Sequence, residues 1–104
     1  AYGGGGHGEN KKLVELSKEL FVPNKVDLVL TGHVHNYQRS YVDGIQHLIV
    51  AGGGAPLYTP EAKNYSVIQY KKYNYGIGEY NQGKLTITIY DDQNNILDKF
   101  EIKK

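Results

Sequence analysis

Val26-Asp27-Leu28-Val29-Leu30-Thr31-Gly32-His33-Val34-His35-Asn36 runs from a nearly continuous apolar block straight into a pair of histidines. An apolar run of this kind suits a strand covered on both faces, as in an α/β layer, better than a half-exposed one. The run predicts a strand over 26–31 that ends abruptly at Gly32. Upstream, Leu13, Leu16 and Leu20 recur at i, i+3 and i+7 with Val14 and Phe21 beside them, while Lys11, Lys12, Glu15, Lys18 and Glu19 face away. That periodicity predicts a helix over 10–22, stopped by Pro23, which lacks an N–H and disfavours helix at the residue before it. Downstream, the Asp43-Gly44 turn leads into a second strand over 45–50, closed by Gly52-Gly53-Gly54. Residues 56–64, with two prolines and no period, read as loop.

From Tyr65 onward the chain alternates β-branched, aromatic and polar residues. This predicts strands over Ser66–Tyr75, Gly76–Asn81, Lys84–Tyr90 and Ile96–Ile102, with turns at 81–83 and 91–95. Leu85, Ile87 and Ile89 alternate with Thr86, Thr88 and Tyr90, the clearest hairpin strand in the chain. The expected fold class is α/β in the α+β sense. One helix packs on a short, largely buried sheet, and an antiparallel β-sheet with a C-terminal hairpin follows.

At 104 residues the chain allows one compact domain. With no Cys, a disulfide framework, a thiolate metal site and a cysteine nucleophile are all excluded, while the redox compartment stays undecided. Twelve basic against eleven acidic side chains give a net charge of +1, too little to steer nucleic acid or an anionic membrane. No apolar run approaches the roughly 20 residues that span a bilayer. The first residue is Ala1 rather than Met, which reads as an excised or processed piece.

The chemistry concentrates in Thr31-Gly32-His33-Val34-His35-Asn36-Tyr37-Gln38-Arg39. Neutral imidazole offers one nitrogen to a metal while the other anchors to the protein. Two histidines one residue apart, leaving a strand in extended form, can point to the same side and chelate one metal or address two adjacent ones. Gly32 ahead of them is expected to permit the turn. The place is also apt, since ligands of α/β sheets bind beyond the carboxyl ends of the strands.

GHVHNYQRS, followed by GIQHLIVAGGGAPLY, resembles the final metal-binding motif of the calcineurin-like metallophosphoesterases, and the Tyr-x-Arg continuation is similar to their purple-acid-phosphatase-like branch. In that branch a His-x-Pro-x-Tyr turn leads into a loop with a further His, then a helix, then the Gly-His-x-His strand. Ala1-Tyr2 would be the end of that turn and His7 the loop histidine. The tail KLTITIYDDQNNILDKFEI is similar to the terminal hairpin of such domains. The family's Asp-x-His, Gly-Asp-x-x-Asp and Gly-Asn-His motifs are absent. The resemblance therefore implies that residues 1–104 are the C-terminal portion of a larger domain whose N-terminal half is missing.

By the same resemblance, His33 and His35 would ligate different ions of a pair of divalent or trivalent transition metals of the zinc, iron or manganese class, roughly 3.5–4 Å apart. The parent would hydrolyse phosphate esters with a metal-bound hydroxide. His7 would bind the phosphate or protonate the leaving oxygen. Two imidazoles alone should hold at most one ion weakly, so the isolated chain is expected to be inactive and to depend on the missing half. An unpaired sheet edge would then invite self-association.

The neighbouring residues read more plainly. His47, mid-strand, is expected to be a packed or edge histidine, Arg39 a structural salt bridge holding the histidine loop, and Tyr37 packing beneath it. The triple glycine at 52–54 allows close backbone passage near the site or serves only as a turn. Tyr70, Tyr73, Tyr75 and Tyr80 do not share one alternation parity, so they make no single stacking platform and read as core-boundary residues. The competing reading is a non-catalytic β-rich module that binds a ligand through this Tyr-rich face without metal.

Overall fold

The computed structural model describes residues 2–5 and 9–104. In chain order, helix α1 (Lys11–Leu16) continues as a π turn (Ser17–Phe21) and is followed by β1 (Leu28–Thr31), β2 (Tyr37–Val42), β3 (Ile45–Val50), β4 (Ser66–Tyr70), β5 (Asn74–Asn81), β6 (Lys84–Asp91) and β7 (Ile96–Lys103). Asn10 caps α1, its side-chain oxygen accepting the Leu13 N–H at 3.1 Å. The helix expected over 10–22 therefore forms, but its second half widens. The Val22 N–H reaches back five residues to the Ser17 carbonyl at 2.9 Å, just before Pro23 ends the element.

Among the described residues seven strands divide into two sheets. The first has the order β1-β3-β2-β4, with β1 parallel to β3 and β2 antiparallel to both β3 and β4. The second is the antiparallel set β5-β6-β7. Two-residue turns set two of the registers: Asp43-Gly44 (φ 52° and 81°) joins β2 to β3, and Gln82-Gly83 (φ 48° and 80°) joins β5 to β6. Both central residues are left-handed, the geometry that matches the twist of a tight hairpin.

Three expectations need correction. Tyr37–Val42, read as the tail of the histidine motif, is a strand at the interior of the first sheet. Ser66–Tyr75 is not one strand. It breaks after Tyr70, and Asn74 and Tyr75 open β5 in the other sheet. The strand expected over 26–31 starts at Leu28 and lies at a sheet edge, where Leu30 is 62% exposed although the run reads as covered on both faces.

Alternation along the strands decides what meets what. Tyr37, Leu48, Ile87, Ile89 and Leu97 form the core between the sheets, flanked by Val50, Tyr70, Leu85 and Phe100. Into this interface Arg39 extends from β2 and forks onto the Asp98 carboxylate of β7, with Nε to Oδ2 at 2.7 Å and NH2 to Oδ1 at 3.1 Å. The fully buried Tyr37 hydroxyl donates to the same Oδ2 at 2.7 Å. Burial, and then the bond to Asp98, push the Tyr37 phenol far above its ordinary value, so it remains a donor. The Arg39 guanidinium also lies over the Phe100 ring, 4.6 Å from its centre. The salt bridge expected of Arg39 is present, and it joins the two sheets.

The opposite face of the first sheet carries Gln38, Ser40, His47 and Ile49, and the N-terminal stretch Tyr2–Gly5 lies along it. Gly4 donates to Gln38 Oε1 and accepts from Gln38 Nε2, both at 2.9 Å. A Cβ on Gly4 would stand 2.0 Å from the Glu61 carbonyl oxygen, so only glycine passes there.

Replacing Asp98 by Ala removes one partner of a largely buried charge pair and orphans three donor groups on two side chains, a loss of roughly 3–5 kcal/mol. Thermal unfolding of Asp98→Ala should show a midpoint lowered by more than about 10 °C. A shift within a degree or two would mean that the carboxylate does not join the sheets.

Candidate functional site

Because β1 runs parallel to β3 and β2 antiparallel to it, the end of β1, the end of β3 and the start of β2 lie together. Residues 32–36 cross from β1 to β2 at this end and carry both His33 and His35. The left-handed residue of the crossing is His33, with φ 77°. Gly32 has no positive φ, and a Cβ there would meet nothing within 4 Å, so the turn expected of the glycine is made by the histidine after it. A non-glycine residue held in this region stores strain of order 1–3 kcal/mol, which its surroundings must offset.

His35 is held from three directions. Its Nδ1 lies 2.9 Å from the Pro56 carbonyl oxygen. Its ring stacks on Tyr58 with centres 4.7 Å apart and planes 16° from parallel. Its own carbonyl accepts the Tyr58 N–H at 2.9 Å. A carbonyl only accepts, so Nδ1 must carry the proton, and the neutral ring then keeps its lone pair on Nε2. That is the tautomer a metal-binding imidazole needs, fixed by an oxygen of the protein backbone. His33 is exposed on the same crossing.

Asn36 binds the crossing to its neighbours. Fully buried, it donates from Nδ2 to the Tyr58 carbonyl at 3.1 Å, accepts from Gln38 Nε2 at 3.0 Å, and takes the Ala51 N–H on its own carbonyl at 3.1 Å. Gly52 is the glycine of the triple that requires close approach. A Cβ on it would stand 2.2 Å from Asn74 Nδ2 and 2.7 Å from the Lys72 carbonyl oxygen, whereas Gly53 and Gly54 face open space.

His7 lies outside the described residues. The stretch before it is placed by the Gly4–Gln38 pair and by a bridge between Gly5 and Pro60, on the segment that also supports His35. His47 is elsewhere, on the covered face of β3, 3% exposed and edge-on to Tyr2 at 4.8 Å. Its burial holds the imidazole well below its ordinary value, down to about 4. Among the described residues no group of three or more His, Cys, Asp or Glu side chains gathers as a metal site. Pro56, Tyr58 and Gln38 were not foreseen as supports. Pro56 acts through a backbone oxygen, which residue identity does not reveal. The shared parity of Asn36 and Gln38 was the available signal for a common face.

No protein-family model matches the sequence. Among curated proteins, the chain is 27% identical to purple acid phosphatase 7 of Arabidopsis thaliana over 104 residues, which is 96% of this chain and 32% of that protein. Purple acid phosphatase 5 of the same plant is 47% identical over 49 residues, 46% of this chain and 12% of that protein. Purple acid phosphatase 19 is 45% identical over 49 residues, 46% of this chain and 13% of that protein. The chain thus spans a third or less of the relatives it matches, and it is related in sequence to several purple acid phosphatases.

Proposed function

We propose that these 104 residues are the C-terminal part of a metal-dependent phosphoesterase of the calcineurin-like, purple-acid-phosphatase type, acting on phosphate esters. The observation that carries this reading is the Nδ1 of His35 fixed on the Pro56 carbonyl, which leaves Nε2 as the free ligand atom within a Gly-His-x-His turn at the carboxyl end of β1. The relation to purple acid phosphatases supports it.

In this reading His33 and His35 each hold one ion of a pair of zinc-, iron- or manganese-class metals. When bound, the pair supplies Lewis acidity toward a phosphate oxygen and toward water. This chain's own task is to orient the two imidazoles. The Pro56 carbonyl, the Tyr58 ring and buried Asn36 do this for His35, and the strained backbone of His33 presents that residue at the surface. His7 contacts phosphate or gives a proton to the leaving oxygen, because an imidazole can serve as a hydrogen-bond donor or as a general acid. The remaining ligands come from the portion of the parent protein outside these residues, which is therefore an obligatory partner of the site.

Two outcomes are expected of the purified chain. Zn²⁺ titration followed by imidazole ¹⁵N shifts should move the Nε2 resonance of His35, with Nδ1 staying protonated. His35→Ala or His33→Ala should weaken binding at least about tenfold. Unchanged imidazole resonances at millimolar Zn²⁺ would sink the metal reading. With an aryl phosphate and added Mn²⁺ or Zn²⁺, the isolated chain should give no turnover above the metal blank. Robust turnover that disappears in His33→Ala would show that the site is complete within these residues.

A further inference from the structure

Three buried side-chain atoms on the covered face of the first sheet have no hydrogen-bond partner among the described residues: Nδ1 and Nε2 of His47 and the hydroxyl oxygen of Tyr2. All three are sealed from solvent. The imidazole stands edge-on to the Tyr2 ring at 4.8 Å, and Tyr2 stands edge-on to Tyr65 at 5.2 Å. A fold that needed only packing here would place an aliphatic or phenyl side chain, since each unmet polar atom costs stability. A titratable ring in a buried setting with no protein partner behaves differently from either. It tolerates its neutral form and cannot tolerate the imidazolium, whose charge and two donors would both lie unsatisfied.

Sealing depends on a light structure. Tyr2 and Gly3–Gly5 are held by the paired Gly4–Gln38 hydrogen bonds, the Glu61 N–H on the Gly4 carbonyl at 3.0 Å within the Gly5–Pro60 bridge, a Gly3 backbone bond to the Tyr65 hydroxyl, a 3.5 Å contact from Ser40 Oγ to the Tyr2 carbonyl and the two ring contacts. Wetting His47 from the other side would require parting β2 from β3 or β1 from β3, each a full ladder of backbone bonds. Local opening follows the cheaper route.

We propose that Tyr2–Gly5 is an acid-released latch: protonation of His47 lifts this segment from the first sheet while the two sheets stay intact, and so frees the stretch of chain that leads to His7. The groups around the imidazole are few. The N-terminal ammonium of the chain adds to burial in disfavouring the imidazolium, and the N-terminal segment also offers the Tyr2 phenol, which burial raises above its ordinary value. The approach to β4 offers Tyr65, hydrogen-bonded to Glu9. The register partners on β1 and β2 are the uncharged Val29 and Ser40. Asp43, exposed in the β2–β3 turn, favours the imidazolium without pairing in the sealed site, and burial outweighs it. The sign follows. The closed form holds its proton only below about 4, the open form at the ordinary value of 6.5. The advantage of the closed form is complete above about pH 6.5, shrinks as pH falls, and reaches its minimum below about pH 4.

Amide hydrogen exchange of the 104-residue chain, read residue by residue and corrected for intrinsic rates, tests this without any metal or substrate. Between about pH 7 and pH 4 the opening measured at the Gly4 N–H should rise roughly a hundredfold, the ratio that linkage between the two proton affinities gives. The β6 amides should keep their protection. His47→Phe keeps a ring against Tyr2 and cannot titrate, so its Gly4 protection should be flat with pH. Should that variant not fold, Tyr2→Ala should show fast Gly4 exchange already at about pH 7, with no further rise in acid. Loss of Gly4 and β6 protection together would be plain acid unfolding and would overturn the latch. So would Gly4 protection that persists at about pH 4, or an acid response that survives in His47→Phe.

Discussion

Asp98 is the point on which the two sheets depend for their relative placement. One carboxylate on β7 receives the guanidinium fork of Arg39 and the hydroxyl of Tyr37, and both donors come from β2. Apolar contacts draw the sheets together but are indifferent to small slides between them. A charged acceptor that must satisfy three donor bonds is not indifferent, because a slip of an ångström or two leaves some of them unmet. The residues on β2 whose position is fixed in this way directly follow the histidine crossing, so the same contact that joins the sheets also fixes where the crossing ends.

The tetrapeptide Asn36-Tyr37-Gln38-Arg39 divides its work by parity. Tyr37 and Arg39 face the second sheet and meet Asp98. Asn36 and Gln38 face the other way and hold the Tyr58 carbonyl and the Gly4 backbone. Both halves are buried polar networks in which nearly every donor finds an acceptor, and such networks specify one arrangement more sharply than oily packing does. The histidine crossing is thus supported from the inter-sheet side through β2 and from the loop side through Pro56 and Tyr58.

Much of this was legible in the residues. The helix and its stop at Pro23, β3, and the alternating strands β6 and β7 follow from period and propensity. The tight Asp43-Gly44 turn follows from the need for two positive φ angles. What stayed hidden has identifiable causes. Tyr37–Val42 carries Gln, Arg and Ser inside a sheet, so its polarity reads as a motif and not as a strand. Those side chains are buried only because Asp98 and Gly4 come from distant parts of the chain to meet them. The break after Tyr70 is invisible because Lys71-Lys72-Tyr73 has no glycine or proline to announce it. In the site, His33 and His35 stand out by spacing, whereas the oxygen that sets the tautomer of His35 is a main-chain atom.

The separation in sequence between Tyr37 and Asp98, 61 residues, also orders events in time. A chain emerging from the ribosome displays the histidine crossing and β2 well before β7 exists, and through that interval Arg39 and Tyr37 have no carboxylate to bind. The local hairpins β2–β3 and β5–β6 can close at once across their two-residue turns. The crossing is brought into register only when β7 is added. The candidate metal ligands are therefore made well before β7 and positioned only after it, and a nascent chain cannot present them in finished form until β7 has left the exit tunnel.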